Sequence, residues 1–512
     1  MCLRSGSLAT TSTFKRSMLA VGSLVLAAAA NTPSPNDAIS KPECNSTNPV
    51  SVRYSGTTAR LYLESADNST RGGCVTLGDI WTARAGKAPL YAVDPVNHTI
   101  SEEATGTWLL TEDLYVEDGI TLQVHGSSVG GDSDELRLLS DASTFINLRA
   151  HGGSLDFLST KVFSWDNSTN SPDVNLTDDG RSYISTVSEL IVNASETCDG
   201  RAKSDMGEAR MDIVDSEMGY LGFLDSESYG LTWKVRGFCT NKTNLEIFDE
   251  VNVYGNIYGS DIHHNYYGVH TFGHQQGDWR NNTMRDNTGY GFDPHDDSDY
   301  ITIHDNVVYN NGYHGIIASK RCNDISIQGN EVYGGAEASA GIFLHRSCDN
   351  ATVKGNYVHD NGDAGMAFLE SFNATVSNNT FENNKYGVRF SVGWADNYFT
   401  DNAILNSTKY NVYTYEGSDG PDVVESGRPQ NNVFSGNLIV GADEAIKLKE
   451  SDDMQFLDNT FVDTTSLRFN DSIGVVMIGN SGLDLDEVEL KVSNGACFDG
   501  SSDSGFEPVC NE

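Results

Sequence analysis

Tyr290-Gly291-Phe292-Asp293-Pro294-His295-Asp296 is followed, 24 residues on, by His314-Gly315-Ile316-Ile317-Ala318-Ser319-Lys320. The glycine they share belongs to a column: Gly268, Gly291, Gly315, Gly341, Gly365 and Gly387, at steps of 23, 24, 26, 24 and 22 residues. Asn282, Asn306, Asn330, Asn356 and Asn379 keep time with it, each opening a unit of the form Asn-x-Val, Asn-x-Phe or Asn-x-Met. Fixed self-similarity at this period marks a solenoid, and strand-only content makes it an all-β, single-stranded parallel β-helix. Stacked asparagines are expected to hydrogen-bond from coil to coil at its corners.

The columns set side-chain direction. One residue after the glycine stand Val269, Phe292, Ile316, Ile342, Met366 and Val388, and three after stand Thr271, Pro294, Ala318, Leu344, Phe368 and Phe390. This mostly apolar parity faces the core. The other parity faces out and carries Asp293 and His295 on one strand. With coils ~4.8 Å apart, Ser319 falls beside His295 and His345 one coil further. The next column holds Asp296, Lys320, Arg346 and Glu370, with Arg321 immediately after Lys320.

A long face bearing imidazole, phenol, carboxylates and cations suits proton abstraction next to a carboxylate. A base takes the proton, a cation neutralises the carboxylate as the enolate-like state forms, and an acid opposite returns a proton. His295 is the natural base, Tyr290 the natural acid, and Asp293 is placed to orient or tune His295. Lys320, Arg321 and Arg346 are the candidate neutralising cations. Composition alone also fits a structural turn, because Asp-Pro is common in turns and Tyr beside Gly is common in strands. His263, His264, His270 and His274 read as wall or packing residues. Arg389 and Lys385 fit solvated charges as well as they fit substrate contacts.

The 512 residues carry a net charge of −39 and a pI near 4.4. That field repels nucleic acid and anionic membranes. A polyanionic substrate then needs a locally basic face. Hydrophobic content of 38% and charged content of 21% fit a folded protein, and 50 glycines against 11 prolines fit short corners between strands.

Arg4, Lys15 and Arg16 precede an apolar run from Met18 to Ala30, the pattern of a secretory signal cleaved after Ala30. No second run approaches membrane length, so no membrane association is expected once the signal is removed. Sequons at Asn45, Asn97, Asn175, Asn241, Asn350, Asn378 and Asn406 agree with secretion. Nine cysteines become eight once Cys2 leaves, an even number suited to disulfides. Proximity pairs Cys44 with Cys74, Cys198 with Cys239, Cys322 with Cys348, and Cys497 with Cys510. No CxxC pattern suggests zinc. The expected organisation is a signal peptide over 1–30, a loop-rich N-terminal cap over 31–105, the β-helix over 106–465 and a C-terminal cap over 466–512.

Tyr290-Gly291-Phe292-Asp293-Pro294-His295 followed by an acid resembles the signature of the mannuronan C5-epimerases. The flanking Ile262-His263-His264-Asn265-Tyr266-Tyr267-Gly268 and His314 to Lys320 are similar to the same family, as is Ser226-Glu227-Ser228-Tyr229-Gly230-Leu231-Thr232. The similarity spans roughly residues 205 to 400. It implies a right-handed parallel β-helix and an isomerase that converts β-D-mannuronate to α-L-guluronate within finished alginate by inverting C5. It implies that His295 and Tyr290 form the proton-transfer pair and that Asp293 belongs to the site. The family's carboxylate-neutralising arginine falls in register on Lys320, with Arg321 adjacent. Expected substrate contacts are Asp296, His314, His345, Arg346 and Arg389. The glycosylation signals point to the secreted brown-algal type, a monomer acting on an anionic polysaccharide. No organic cofactor and no metal site are expected. The calcium-binding nonapeptide array of bacterial secreted members is missing, and acidic loops are the remaining route for Ca2+. Two other readings share these features: a polyuronate lyase, and a non-catalytic polyuronate-binding β-helix.

Overall fold

In the computed structural model, the described residues are 44–510 apart from 45, 67–71, 177–179, 191–207, 238–247, 249–250, 416, 418–426, 484–488, 494–496 and 501–508. The expected signal peptide and the Cys198–Cys239 pair lie outside them. The chain winds as a parallel β-helix with three long sheets, two of them carrying sixteen strands each among the described residues. One of these two, running from Val50–Ser55 to Glu489–Ser493, bears the site.

The inward column forms as the sequence dictates. Phe292 pairs with Ile316, Ile316 with Ile342, Ile342 with Met366 and Met366 with Val388, and all five are fully buried. The glycine column exists because the corner has no room for a Cβ. One added at Gly291 would lie 2.4 Å from the Gly315 carbonyl oxygen, and one at Gly315 would lie 2.5 Å from Val332 Cγ1. Such contacts are far inside van der Waals distance.

The asparagine column is a hydrogen-bonded ladder. The Nδ2 of Asn282, Asn306, Asn330, Asn356 and Asn379 each donates to the Oδ1 of the next asparagine at 2.8–3.0 Å, and the last acceptor is Asn402. It continues through Asn437, Asn459 and Asn480. Each amide also satisfies strand-end carbonyls that the core would otherwise strand without partners.

Parallel strand pairing continues outside residues 106–465. Arg60–Ser65 pairs in parallel with Asp113–Val116, and Gly73–Thr76 with Ile120–His125. The expected loop-rich N-terminal region therefore opens the sheets. It also supplies a helix, Leu77–Ala83, whose capping box joins Thr76 and Asp79 and whose Leu77 and Ile80 enter the core. At the other end Ser466–Asn470 and Val475–Ile478 still stack in register.

Cys44 and Cys74 form the expected disulfide. Cys497 and Cys510 are backbone partners in an antiparallel pair. The expected Cys322–Cys348 bond is corrected: both are buried free thiols. Each turns to a carbonyl of its own corner, Cys322 Sγ to Ser319 at 3.2 Å and Cys348 Sγ to His345 at 3.3 Å. No helix among the described residues is long and apolar enough to cross a membrane.

Candidate active site

Pro294 starts the site. It has no N–H to offer the ladder, so the strand Phe292–Asp293 stops after two residues, and bridging resumes at His295, which pairs with Ser319. The backbone then turns. Asp296, Lys320, Arg346 and Glu370, the column expected from the repeats, all sit at positive φ between +35° and +62°. Non-glycine residues rarely adopt this conformation, and it throws their side chains out of the strand direction.

The outcome is a cleft of about 520 Å³. Tyr290, Asp293, His295, Asp296 and Lys320 line it, as do His314 and His345. Arg321, Arg346 and Arg389, expected to reach substrate, are not among its lining residues. Acids hold all three: Arg321 lies 2.9 Å from Asp296 and 2.7 Å from Asp297, Arg346 lies 3.5 Å from Glu370, and Arg389 lies 3.0 Å from Asp363.

His295 Nδ1 lies 2.5 Å from Asp296 Oδ2. The orienting contact expected from Asp293 is therefore made by Asp296, and Arg321 holds Asp296 in turn. Burial pulls the imidazole pKa down, but the Asp296 hydrogen bond and the charges of Asp293 and Asp296 outweigh it and leave it raised. Burial, with the Asp296 charge nearby, pushes the Asp293 carboxyl up to about 7. Asp293 is 1% exposed, and its Oδ1 has no hydrogen-bond partner.

Burial and the Asp293 charge push Tyr290 up to about 12, so it stands as a neutral phenol. His314 stacks on it with ring centroids 5.6 Å apart and planes 7° apart. His314 Nδ1 accepts the Ala340 N–H at 3.0 Å, which leaves the proton on Nε2, and burial lowers its pKa to about 3. His345 Nδ1 lies 2.8 Å from Ser319 Oγ.

His270, read from sequence as a wall residue, lines the cleft. Its Nε2 lies 3.9 Å from Asp293 Oδ2, and burial followed by the neighbouring His295 drives its pKa well down. His263, His264 and His274 do pack: His263 contacts His264 and Glu217, and His274 Nε2 donates to the Gly255 carbonyl. Among the described residues no group of three or more His, Cys, Asp or Glu gathers to hold a metal ion.

Sequence reasoning did not assign Ser226, Glu227, Lys234 or Tyr267 to the cleft wall. They come from the two coils before the motif. The strand Gly230–Gly237 pairs with Tyr267–Phe272 through a register shift between Gly230 and Thr232. A glycine alignment cannot be carried through such a bulge to Ser226, Glu227 and Lys234, whereas Tyr267, one residue before Gly268, stands in the column of Tyr290. The usable signals were the Ser226–Thr232 stretch for Ser226 and Glu227 and the Ile262–Gly268 stretch for Tyr267, both similar to the family's sequences.

Residues 232–417 match the family described as periplasmic copper-binding protein (NosD). The mannuronan C5-epimerase AlgG of Azotobacter vinelandii is 28% identical over 343 residues, covering 66% of this chain and 55% of that protein. A mannuronan C5-epimerase of Pseudomonas putida is 29% identical over 179 residues, covering 35% and 33%. The chain thus spans between a third and about half the length of the curated relatives it matches. The crystal structure of the periplasmic alginate epimerase AlgG superposes with a TM-score of 0.60 at 20% identity, over 79% of this chain and 84% of that one. By these similarities the chain is a distant homologue of the bacterial mannuronan C5-epimerases and shares the β-helix fold of AlgG.

Proposed function

We propose that the protein is a mannuronan C5-epimerase, converting β-D-mannuronate to α-L-guluronate within polymeric alginate. The observation that carries the reading is the joint placement in one cleft of an Asp296-backed imidazole, a neutral phenol and a lysine. Removing a proton from the carbon beside a carboxylate needs a base, a neutralised carboxylate and a second proton donor. His295 Nε2 takes the C5 proton while Asp296 keeps Nδ1 hydrogen-bonded and stabilises the imidazolium. Lys320, which lines the cleft, neutralises the carboxylate as charge builds on it. Lys234 adds positive charge from the facing wall. Tyr290 delivers its phenolic proton to the opposite face of C5. Exchange with solvent then removes the proton from His295 and restores the one on Tyr290.

The neutral phenol also supports a second reading. Delivered to the O4 substituent instead of C5, the Tyr290 proton would complete an elimination, and the protein would be a polyuronate lyase. A non-catalytic binding role leaves the base, acid and cation without a task. Proton NMR of polymannuronate incubated with the protein separates the three. New guluronate signals support the epimerase, olefinic signals with ultraviolet absorbance make it a lyase, and binding without change makes it a binding module.

We further read it as a secreted, monomeric glycoprotein of the brown-algal type. The Cys44–Cys74 disulfide suits an oxidising compartment. The sequon asparagines Asn97, Asn175, Asn350, Asn378 and Asn406 are exposed, while Asn45 and Asn241 lie outside the described residues.

A further inference from the structure

Tyr290 stands in a stack of rings, one residue before the shared glycines. Tyr267 on the preceding coil packs on one side of it, with ring centroids 4.8 Å apart and planes 38° apart. His314 on the next coil packs on the other side, at 5.6 Å and 7°. The backbone sets this order, because the Gly268 N–H donates to the Tyr290 carbonyl and the Gly291 N–H to the His314 carbonyl. Ala340 holds the following place and ends the stack.

His314 is fixed twice. Its Nδ1 accepts the Ala340 N–H at 3.0 Å, which sets the rotation of the ring. Phe343 meets it edge-on, with centroids 4.8 Å apart and planes 78° apart. Because its plane is almost parallel to that of the phenol, its remaining N–H runs alongside the Tyr290 ring and is not aimed at it. Burial, then Arg389 and His345, hold the imidazole pKa down at about 3, so it stays neutral in mildly acidic and neutral solution. A cation against a phenol favours the phenolate, and so does access of water. The His314 ring excludes the water and adds no charge.

We propose that His314 is a positioning residue for Tyr290, a neutral plate that fixes the plane of the phenol and keeps water from one face of it, so that the proton donor meets the sugar protonated and in a single orientation. This role rests on the reading of Tyr290 as the proton donor, and it replaces the substrate contact expected of His314 from the sequence. Besides Tyr267, the groups facing the phenol are Asp293, Tyr313 and Tyr266, which follow burial in raising its pKa. None of them is altered by a change at His314.

Two substitutions separate the plate from the hydrogen bond. His314→Phe keeps an aromatic face over Tyr290 and loses the acceptor for the Ala340 N–H. His314→Gln keeps an acceptor and loses the face. Ultraviolet titration of tyrosinate in the full protein compares each with the parent, the Tyr290 signal being the difference between a protein and the same protein carrying Tyr290→Phe. The Tyr290 pKa is expected to fall by on the order of 1 unit in His314→Gln, as water reaches the ring, and to move by less than about 0.3 unit in His314→Phe. With polymannuronate, kcat is expected to fall roughly 10- to 100-fold in His314→Gln and less than about fivefold in His314→Phe, with KM little changed in either. An unmoved Tyr290 titration in His314→Gln overturns the proposal. So does the reverse ranking, in which glutamine preserves function and phenylalanine does not. A raised KM at unchanged kcat also overturns it and makes His314 a substrate contact. If one variant does not fold, the titration of the other decides. If the titrations move as expected but the parent does not epimerise polymannuronate, the functional reading fails and the positioning stands. If the parent epimerises and the titrations do not move, the positioning fails alone.

Discussion

His295 and Asp296 are consecutive residues, yet Nδ1 of the first lies 2.5 Å from Oδ2 of the second. Neighbours in a strand point to opposite faces. The contact is made because Asp296 leaves the strand at φ +35° and swings its carboxylate back onto the imidazole, where Arg321 holds it. The base is thereby oriented by a corner and not by its own strand.

Asp296→Asn removes the charge that supports the imidazolium. The account expects kcat to fall roughly 100-fold or more, with polymer affinity changed far less. Arg321→Ala, acting one step further out, is expected to cost less. Initial rates with saturating polymannuronate measure both.

The pH profile follows from the same contact. A base acts when unprotonated, so activity rises as pH climbs through the His295 pKa. That pKa is raised, which places the acid limb above the ordinary imidazole value of about 6.5. In Asp296→Asn burial prevails and the limb is expected to move to lower pH, as kcat measured against pH will show. The stability linked to His295 has the matching sign: it is fully present below about 6.5 and is lost as pH rises through the raised value.

Asp293 is held buried at a cost in stability. Its folded pKa is raised to about 7, so between the ordinary carboxylate value of about 3.9 and that point the folded state binds more protons than the unfolded one, and stability falls as pH rises. Asp293→Asn is expected to gain on the order of 2 kcal/mol at pH 8 while losing most activity. Chemical denaturation at pH 5 and pH 8 checks the first half. A variant no more stable at pH 8 than the parent contradicts the assignment.

Of the cations the sequence offered for neutralising the carboxylate, Lys320 lines the cleft and Arg321, Arg346 and Arg389 do not. Lys320→Ala is expected to lower kcat/KM by roughly 100- to 1,000-fold, and Arg346→Ala and Arg389→Ala by far less, in assays run side by side.

The scaffold makes its own prediction. Asn330 is 1% exposed; its Nδ2 donates to Ile303 O and Asn356 Oδ1, while its Oδ1 accepts from the Asn306 backbone and side chain. Asn330→Ala strands buried donors and acceptors on both neighbouring coils and is expected to cost about 2–4 kcal/mol. Denaturant unfolding measures it.

Much of this was legible because the repeat is strict where it matters. The glycine column put Phe292 inside, the His295–Ser319–His345 neighbours in register, and the asparagines in a ladder. The sequence did not disclose which charges were already spoken for. Arg321, Arg346 and Arg389 look as available as Lys320 in a column, and only their pairing with Asp297, Glu370 and Asp363 removes them from the cleft. Lys234 was hidden by the register shift at Gly230, which ends the periodicity on which the reading depended. The outer strand at Arg60 escaped because the first coils are atypical and carry neither column, and the one at Ser466 because the glycine column has ended there, although the asparagine ladder runs on to Asn480.

The most direct test of the central claim is solvent deuterium at C5. Polymannuronate incubated in deuterated water is expected to carry deuterium at C5 of every new guluronate with the unaltered protein, and to carry none with His295→Ala even though that variant still binds the polymer. Guluronate formed without solvent deuterium, or unchanged exchange in His295→Ala, contradicts the account.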